Sequence, residues 1–181
     1  MLDYKQKLKD WNNTEQYKSE LEFLFSLINP LGVQSILDYG CGVGTAMKYL
    51  RLNSDCKIYG YDITDKYYEG DSFWFRTEIY FKVDIIFFMH SIAHISKPPL
   101  PKIKDEFLLP DGRVIVITPN IEWLTLKNKG KEIKTDDTVV QHYSSLTLEN
   151  LFKENAYDII CQGQFGNCIN NQHERLFLIA K

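Results

Sequence analysis

Apolar positions change their spacing along the chain in a regular way. Over the first thirty residues Leu21, Phe23, Leu24, Leu27 and Ile28 cluster on one helical face, and Pro30 with Gly32 ends the pattern. From Ser35 onward, short apolar runs alternate with amphipathic segments. "SILDYG" predicts a short buried strand and "GTAMKYLRLN" a helix after it. "KIYGYDI" predicts a second strand with Asp62 near its end. "KVDIIFFMH" is continuously apolar, as in a strand covered on both faces. "LPKIKDEFLL" predicts a helix stopped by the turn "PDG", and "RVIVITP" another buried strand. "SLTLENLFKENA" places Leu148, Leu151 and Phe152 at helical spacing behind a capping residue. "YDIICQGQF" and "ERLFLIAK" predict two last strands, joined by the loop "GNCINNQH".

Strands alternating with helices require crossover connections, so the pattern predicts an α/β fold with a mostly parallel sheet and helices on both faces. The last connection is too short for a helix and predicts an antiparallel hairpin at the sheet edge. Only "ITDKYYEGDSFWFRTEIYFK" separates the second strand from the strongest one, so the helix after strand two is expected to be missing or reduced to a turn. The 181 residues contain no repeat and no low-complexity linker, which predicts one domain over 1–181 with residues 1–30 as an N-terminal helical cover.

Composition narrows the function classes. A net charge of −3 argues against nucleic acid held mainly through its phosphates. The basic run "KNKGKEIK" (Lys127–Lys134) is the one local exception, and such runs are most often solvated loops. The 14% aromatic content points to a ring-filled core, with an aromatic-lined pocket as the alternative. Cys41, Cys56, Cys161 and Cys168 form no CxxC pair and no metal-ligand spacing, so no metal is expected. Free thiols, an N-terminus without a signal-peptide core and no membrane-length apolar run predict a cytoplasmic protein with no membrane partner.

The chemistry concentrates in "SILDYGCGVGTAMKYL". Glycines at the carboxyl end of a strand let the chain turn sharply and a ligand approach the backbone. A dinucleotide loop uses G-x-G-x-x-G, but Gly40, Gly42 and Gly44 are spaced two and two, and Thr45 stands where the third glycine would be. No Lys-Ser or Lys-Thr follows, which excludes a phosphate-binding P-loop. Asp38 precedes the loop by two residues; its carboxylate would repel a pyrophosphate and attract an ammonium or sulfonium.

"LDYGCGVG" resembles motif I of the class I S-adenosylmethionine (SAM)-dependent methyltransferases, with the acid and the glycines in register. "YGYDI" is similar to their second motif, "VDIIFFMHSIAHI" to their fourth strand and its loop, and "LLPDGRVIVITPN" to their fifth strand. "HYSSLTLENLFKENAYDII" is similar to the late helix and sixth strand. The "TPN" and "HY" features look most like the small-molecule enzymes of the ubiquinone-biosynthesis and sugar-modifying type. The resemblance implies a Rossmann-like, mostly parallel seven-stranded sheet, SAM as cofactor with S-adenosylhomocysteine as product, and methyl transfer to a small-molecule acceptor such as a sugar or another biosynthetic metabolite. It also implies cofactor contacts from Asp38, Gly40, Cys41, Gly42 and Gly44, from Asp62 to the ribose hydroxyls, and from Ile63 to the adenine. Asp71 and Ser72 in "EGDSF" stand where the third motif places adenine contacts, while Met89 and His90 would line the methionine end. Tyr17 and Trp11 belong to the helix that covers the cofactor in this family.

Because the sulfonium is already a good leaving group, the protein has chiefly to position the acceptor and take its proton. His94, His90 and His142 are the candidate bases, since histidine exchanges protons near neutral pH. The alternative for His90 and His94 is lining of the cofactor or capping of the next helix, and for His142 a solvent-facing loop position. Cys41 lacks the basic neighbour that would make it a nucleophile. Rival readings are a non-catalytic SAM-binding module or partner subunit, a nicotinamide oxidoreductase that the glycine spacing disfavours, and an RNA methyltransferase using the basic run. A monomer or a homodimer is expected.

Overall fold

The continuous apolar run of "KVDIIFFMH" forms the central strand of the protein. The computed structural model describes residues 4–64, 68, 74–131, 133 and 138–181. In chain order the elements are α1 (Tyr4–Asn12), α2 (Glu15–Ile28), β1 (Ser35–Tyr39), α3 (Thr45–Asn53), β2 (Lys57–Tyr61), β3 (Phe75–Arg76) and β4 (Val83–Met89). They continue with α4 (Leu100–Lys102), β5 (Leu108–Pro119), α5 (Ile121–Lys127), α6 (Ser145–Glu154), β6 (Ile159–Ile169) and β7 (Gln172–Ala180).

The seven strands make one sheet in the order β3-β2-β1-β4-β5-β7-β6. From β3 to β5 the neighbours are parallel, and β7 runs antiparallel to both β5 and β6. This is the expected Rossmann-like arrangement with its closing hairpin. The chain moves outward one way from β1 through β2 to β3 and then returns to start the other way at β4. The carboxyl ends of β1 and β4 therefore flank the topological switch point, where such sheets bind ligands.

Alternation along each strand sorts side chains to two faces. Ile36, Ile85, Phe87, Ile115, Ile117 and Ile179 pack against α2 and α3, with Leu21, Leu24, Ile28, Met47 and Leu50 opposite them. Leu37, Ile86, Phe88, Val114, Val116 and Leu178 pack on the other side with Ile103, Leu148 and Phe152. Helix α2 starts at Thr14, whose hydroxyl accepts from the Tyr17 N–H at 3.2 Å, and its 3-10 extension over Asn29–Leu31 ends where Gly32 turns left-handed. The Asp84 carboxylate accepts from the Gln34 and Ser35 N–H groups and the Ser35 hydroxyl at 2.7–3.1 Å, locking the start of β1 to β4.

Three details differ from the sequence pattern. Asn170 and Asn171 both adopt left-handed backbones, so the last turn needs two residues and the strands extend through most of "GNCINNQH". The helix expected from Leu100 shrinks to α4 and a π-type turn over Ile103–Phe107, because Leu108 already pairs with Val83. Helix α5 follows β5 without an amphipathic repeat long enough to announce it; Asn120 caps it by accepting from the Glu122 N–H at 3.0 Å. Between β2 and β4 the described residues contain no helix, and residues 65–67 and 69–73 lie outside them.

Phe87 is fully buried at the middle of the central strand. Phe87→Ala should cost about 3–5 kcal/mol of stability, read as a lower urea midpoint with an unchanged slope.

Candidate active site

Strand β1 ends at Tyr39, and the glycine loop begins immediately. Gly40, Gly42 and Gly44 have φ of 84°, 52° and 82°. A Cβ on Gly40 would collide with the Ser91 side chain, and one on Gly44 would come within 2.7 Å of the Tyr68 ring. Glycine is needed at both positions for conformation and for space. The Gly40 and Cys41 N–H groups donate to the Tyr61 carbonyl at 2.7 and 3.0 Å, and the Gly42 N–H donates to Asp62 Oδ2 at 3.0 Å. The loop is thus fastened to the end of β2 and to its acid.

Asp38 shares the sheet face of Ile36 and is 2% exposed. Its Oδ1 has no hydrogen-bond partner. Burial, and then the charge of Asp62, push its carboxyl well above the usual range. A buried acceptor without a partner is costly, and a cationic group brought by a ligand would remove the deficit. The glycine cradle beside an orphaned carboxylate oxygen fits a cofactor that carries sulfonium and ammonium groups. Tyr17 lies above, on the buried stripe of α2; burial, then the charges of Asp38 and Glu20, push its phenol up, so it remains a neutral donor.

His90 follows β4 with a left-handed φ of 63°. Strict alternation would send its side chain to the α4 face, but the left-handed turn sends it to α2 instead. There Nε2 lies 2.5 Å from Glu20 Oε2, and the ring sits 6.2 Å from Trp11 and 6.3 Å from Tyr17 between centroids. Glu20 Oε1 accepts from Arg175 Nε at 2.6 Å, and Arg175 in turn lies 3.4 Å from the Glu174 carboxylate. Burial would raise the Glu20 pKa, but hydrogen bonds and charge from His90 and Arg175 outweigh it and hold the carboxyl below its usual value. Ser91, next in the chain, donates to the Tyr39 carbonyl, which seats this turn against the glycine loop.

The other candidate residues are distributed differently. His94 is exposed and its Nδ1 is 3.0 Å from the Thr138 hydroxyl; His142 is exposed. Of the three candidate bases, only His90 joins the cluster with Tyr17 and Glu20. Met89 is buried at the end of β4, Ile63 is 85% exposed beyond β2, and burial followed by Asp38 and Asp62 pushes the Cys41 thiol up. Asp71 and Ser72 lie outside the described residues. A cavity of about 390 Å³ opens on the α4 face between Tyr39, Tyr61, Ile79, Tyr80 and Phe107, and contains none of the candidate residues. No group of three or more metal-ligating side chains occurs among the described residues, and no helix there is long and apolar enough to cross a membrane.

Sequence reasoning missed Glu20, Glu174 and Arg175. Glu20 occupies the buried stripe of α2 with Tyr17, Leu21, Leu24 and Ile28, and Arg175 has the inward parity of Phe177 and Ile179. A charge at an inward position of each element was the available signal.

A family model described as a methyltransferase domain matches residues 9–162. The chain belongs to that family, and it is an enzyme of the SAM-dependent class I type. A SAM-dependent methyltransferase from Clostridium acetobutylicum ATCC 824 superimposes with a TM-score of 0.72 at 12% identity, over 98% of each chain. One from Archaeoglobus fulgidus gives 0.70 at 12% identity, over 98% of this chain and 99% of that one. The small RNA methyltransferase HEN1 gives 0.69 at 18% identity, over 91% of this chain and 25% of that one. At these identities the likeness is one of fold. No curated protein matches the sequence.

The raised Asp38 carboxyl has a consequence for binding. Between the ordinary carboxylate range and the raised value, the free protein holds a proton on Asp38 that a bound cation would expel. SAM affinity should therefore rise with pH through that window. Calorimetry in buffers of different ionisation enthalpy should show proton release of up to one per site, abolished in Asp38→Asn.

Proposed function

We propose that this methyltransferase acts on a small molecule, with the carboxyl ends of β1, β2 and β4 as its cofactor site. The observation that carries the reading is the buried Asp38, whose Oδ1 has no partner, beside a glycine loop tied to Asp62. Bound SAM would supply a methyl group on a sulfonium, which needs no further activation. The chain's own residues do the rest. Gly40, Gly42 and Gly44 bring backbone close to the ligand, Asp38 faces its positive groups, and Asp62 accepts from the ribose hydroxyls while it holds Gly42. Tyr17 donates from the cover formed by α1 and α2, and Trp11 and Met89 shut water out of the methionine end. The domain is the whole of 1–181, and its place is the cytoplasm, where its four free cysteines stay reduced.

A small acceptor is supported by charge. The whole chain is at −3, which argues against an acceptor held mainly through its phosphates. Release of S-adenosylhomocysteine across a panel of sugars and hydroxylated metabolites tests the reading. Release only with RNA, falling steeply with salt, would replace it. Binding of SAM with no release in any arm would make the chain a binding module.

Asp62→Ala removes a charged acceptor from both the ligand and the Gly42 N–H. Hydrogen bonds to charged groups contribute about 1.5–3 kcal/mol, so SAM affinity should fall roughly 10- to 150-fold in a calorimetric titration. An unchanged affinity would overturn the assignment of Asp62.

A further inference from the structure

We infer that Glu20 and His90 form a proton-accepting dyad, with Arg175 as the residue that positions Glu20, and that the acceptor is a hydroxyl compound that must lose a proton on methylation. The inference rests on the proposed cofactor site and adds to it the groups that take the proton.

Three observations converge on the dyad. His90 Nε2 and Glu20 Oε2 are 2.5 Å apart, and the other Glu20 oxygen is occupied by Arg175 Nε at 2.6 Å. The Glu20 carboxyl is held on the ionised side, so Nε2 is the donor of this contact and carries the proton. In the neutral ring Nδ1 is then the nitrogen with the free lone pair, and the ring's contact with Glu20 is made through Nε2 alone. The imidazole side chain keeps 16% exposure while Glu20 keeps 3%, so the carboxylate is sealed and the ring reaches the open side.

Position supports the same role. His90 is redirected to this face by its left-handed backbone, an uncommon conformation for a residue with a side chain. Its neighbour Ser91 is packed against Gly40, so the turn that carries His90 stands beside the glycine loop. A histidine serving only to tie α2 to the sheet would be redundant. Arg175 would suffice for that tie, since it already pairs with Glu20.

The step balances without a further reactant. An oxygen lone pair of the acceptor forms the new bond to the methyl carbon, and the carbon–sulfur bond breaks with its electron pair going to sulfur. The hydroxyl proton passes to His90 Nδ1, and the imidazolium so formed is stabilised by the Glu20 carboxylate. General-base assistance of this kind contributes about 10²–10⁴-fold. A carboxylate acceptor would have no proton to give and would gain nothing from the dyad.

The test uses the full chain labelled with nitrogen-15, and it needs no known acceptor. Long-range proton–nitrogen correlation, with His90→Asn for assignment, should show His90 as the Nε2–H tautomer with a low-field proton resonance. The ring should also be acylated by diethyl pyrocarbonate at Nδ1. In Glu20→Gln the low-field resonance should vanish and the acylation rate should fall at least tenfold. Wild-type His90 protonated at Nδ1, or inert to the reagent, would overturn the dyad without any Glu20 variant having to fold. Acylation of equal rate in wild type and Glu20→Gln would overturn the role of Glu20. Calorimetry with S-adenosylhomocysteine separates the two levels: a wild-type protein that does not bind it removes the cofactor reading, whatever the tautomer.

Discussion

Glu20 is a carboxylate placed inside the apolar interface between α2 and the sheet, and the cover over the site depends on how that charge is satisfied. Taking an ion out of water costs several kcal/mol, which only well-made pairing offsets. Arg175 supplies that pairing from a strand 155 residues away, and His90 supplies a second contact from the turn after β4. Greasy contacts along Leu21, Leu24 and Ile28 would tolerate sliding of α2 by a turn. A buried ion with two directional partners does not, so the pairing sets the register of α2 on the sheet. Tyr17 and Trp11 then stand where they do because Glu20 is where it is.

The same end of the sheet holds a second buried carboxyl, and the two are handled in opposite ways. Glu20 is paired with His90 and Arg175 and is held below its usual range; Asp38 has an unpartnered oxygen, faces another acid and is pushed above it. Environments that drive like groups apart assign them different work. The satisfied carboxylate is a fixture of the protein, whereas the unsatisfied one has its partner still to come from outside. Tyr17, which senses both charges and stays neutral, stands between these two roles.

Much of this was legible in the sequence, and the limits follow from physics. Short continuous apolar runs and the glycine spacing reported local constraints, so six of the seven strands, the loop and the position of Asp62 could be placed without coordinates. The two-residue hairpin turn was missed because Asn170 and Asn171 take left-handed backbones that most residue types would refuse, and "GNCINNQH" reads as loop by composition alone. His90 was one of three candidates, and nothing local says that its backbone turns left-handed or that His94 and His142 stay exposed. Glu20 and Arg175 each show in the sequence only as a charge at an inward position; which partner each takes, across the second helix and the last strand, has no signature in either segment alone.

The high aromatic content finds its explanation at the shortened centre, where α/β folds ordinarily use helices to cover the sheet. On one face Tyr68 stacks on Phe75 at 4.7 Å between centroids and closes over Gly44, while the Arg51 guanidinium lies 4.3 Å above Trp74. On the other, Tyr39 packs with Tyr61 at 4.6 Å and Tyr59 with Phe81 at 4.5 Å, over the connection from β3 to β4. A ring buries 150–250 Å² from only one or two torsions, so a few of them shield a strand edge that would otherwise take a helix. The rings therefore compensate for missing helices in the described part of this region, and they do so next to the glycine loop. That placement is what lets a short chain keep β2, and with it Asp62, rigid enough to hold Gly42.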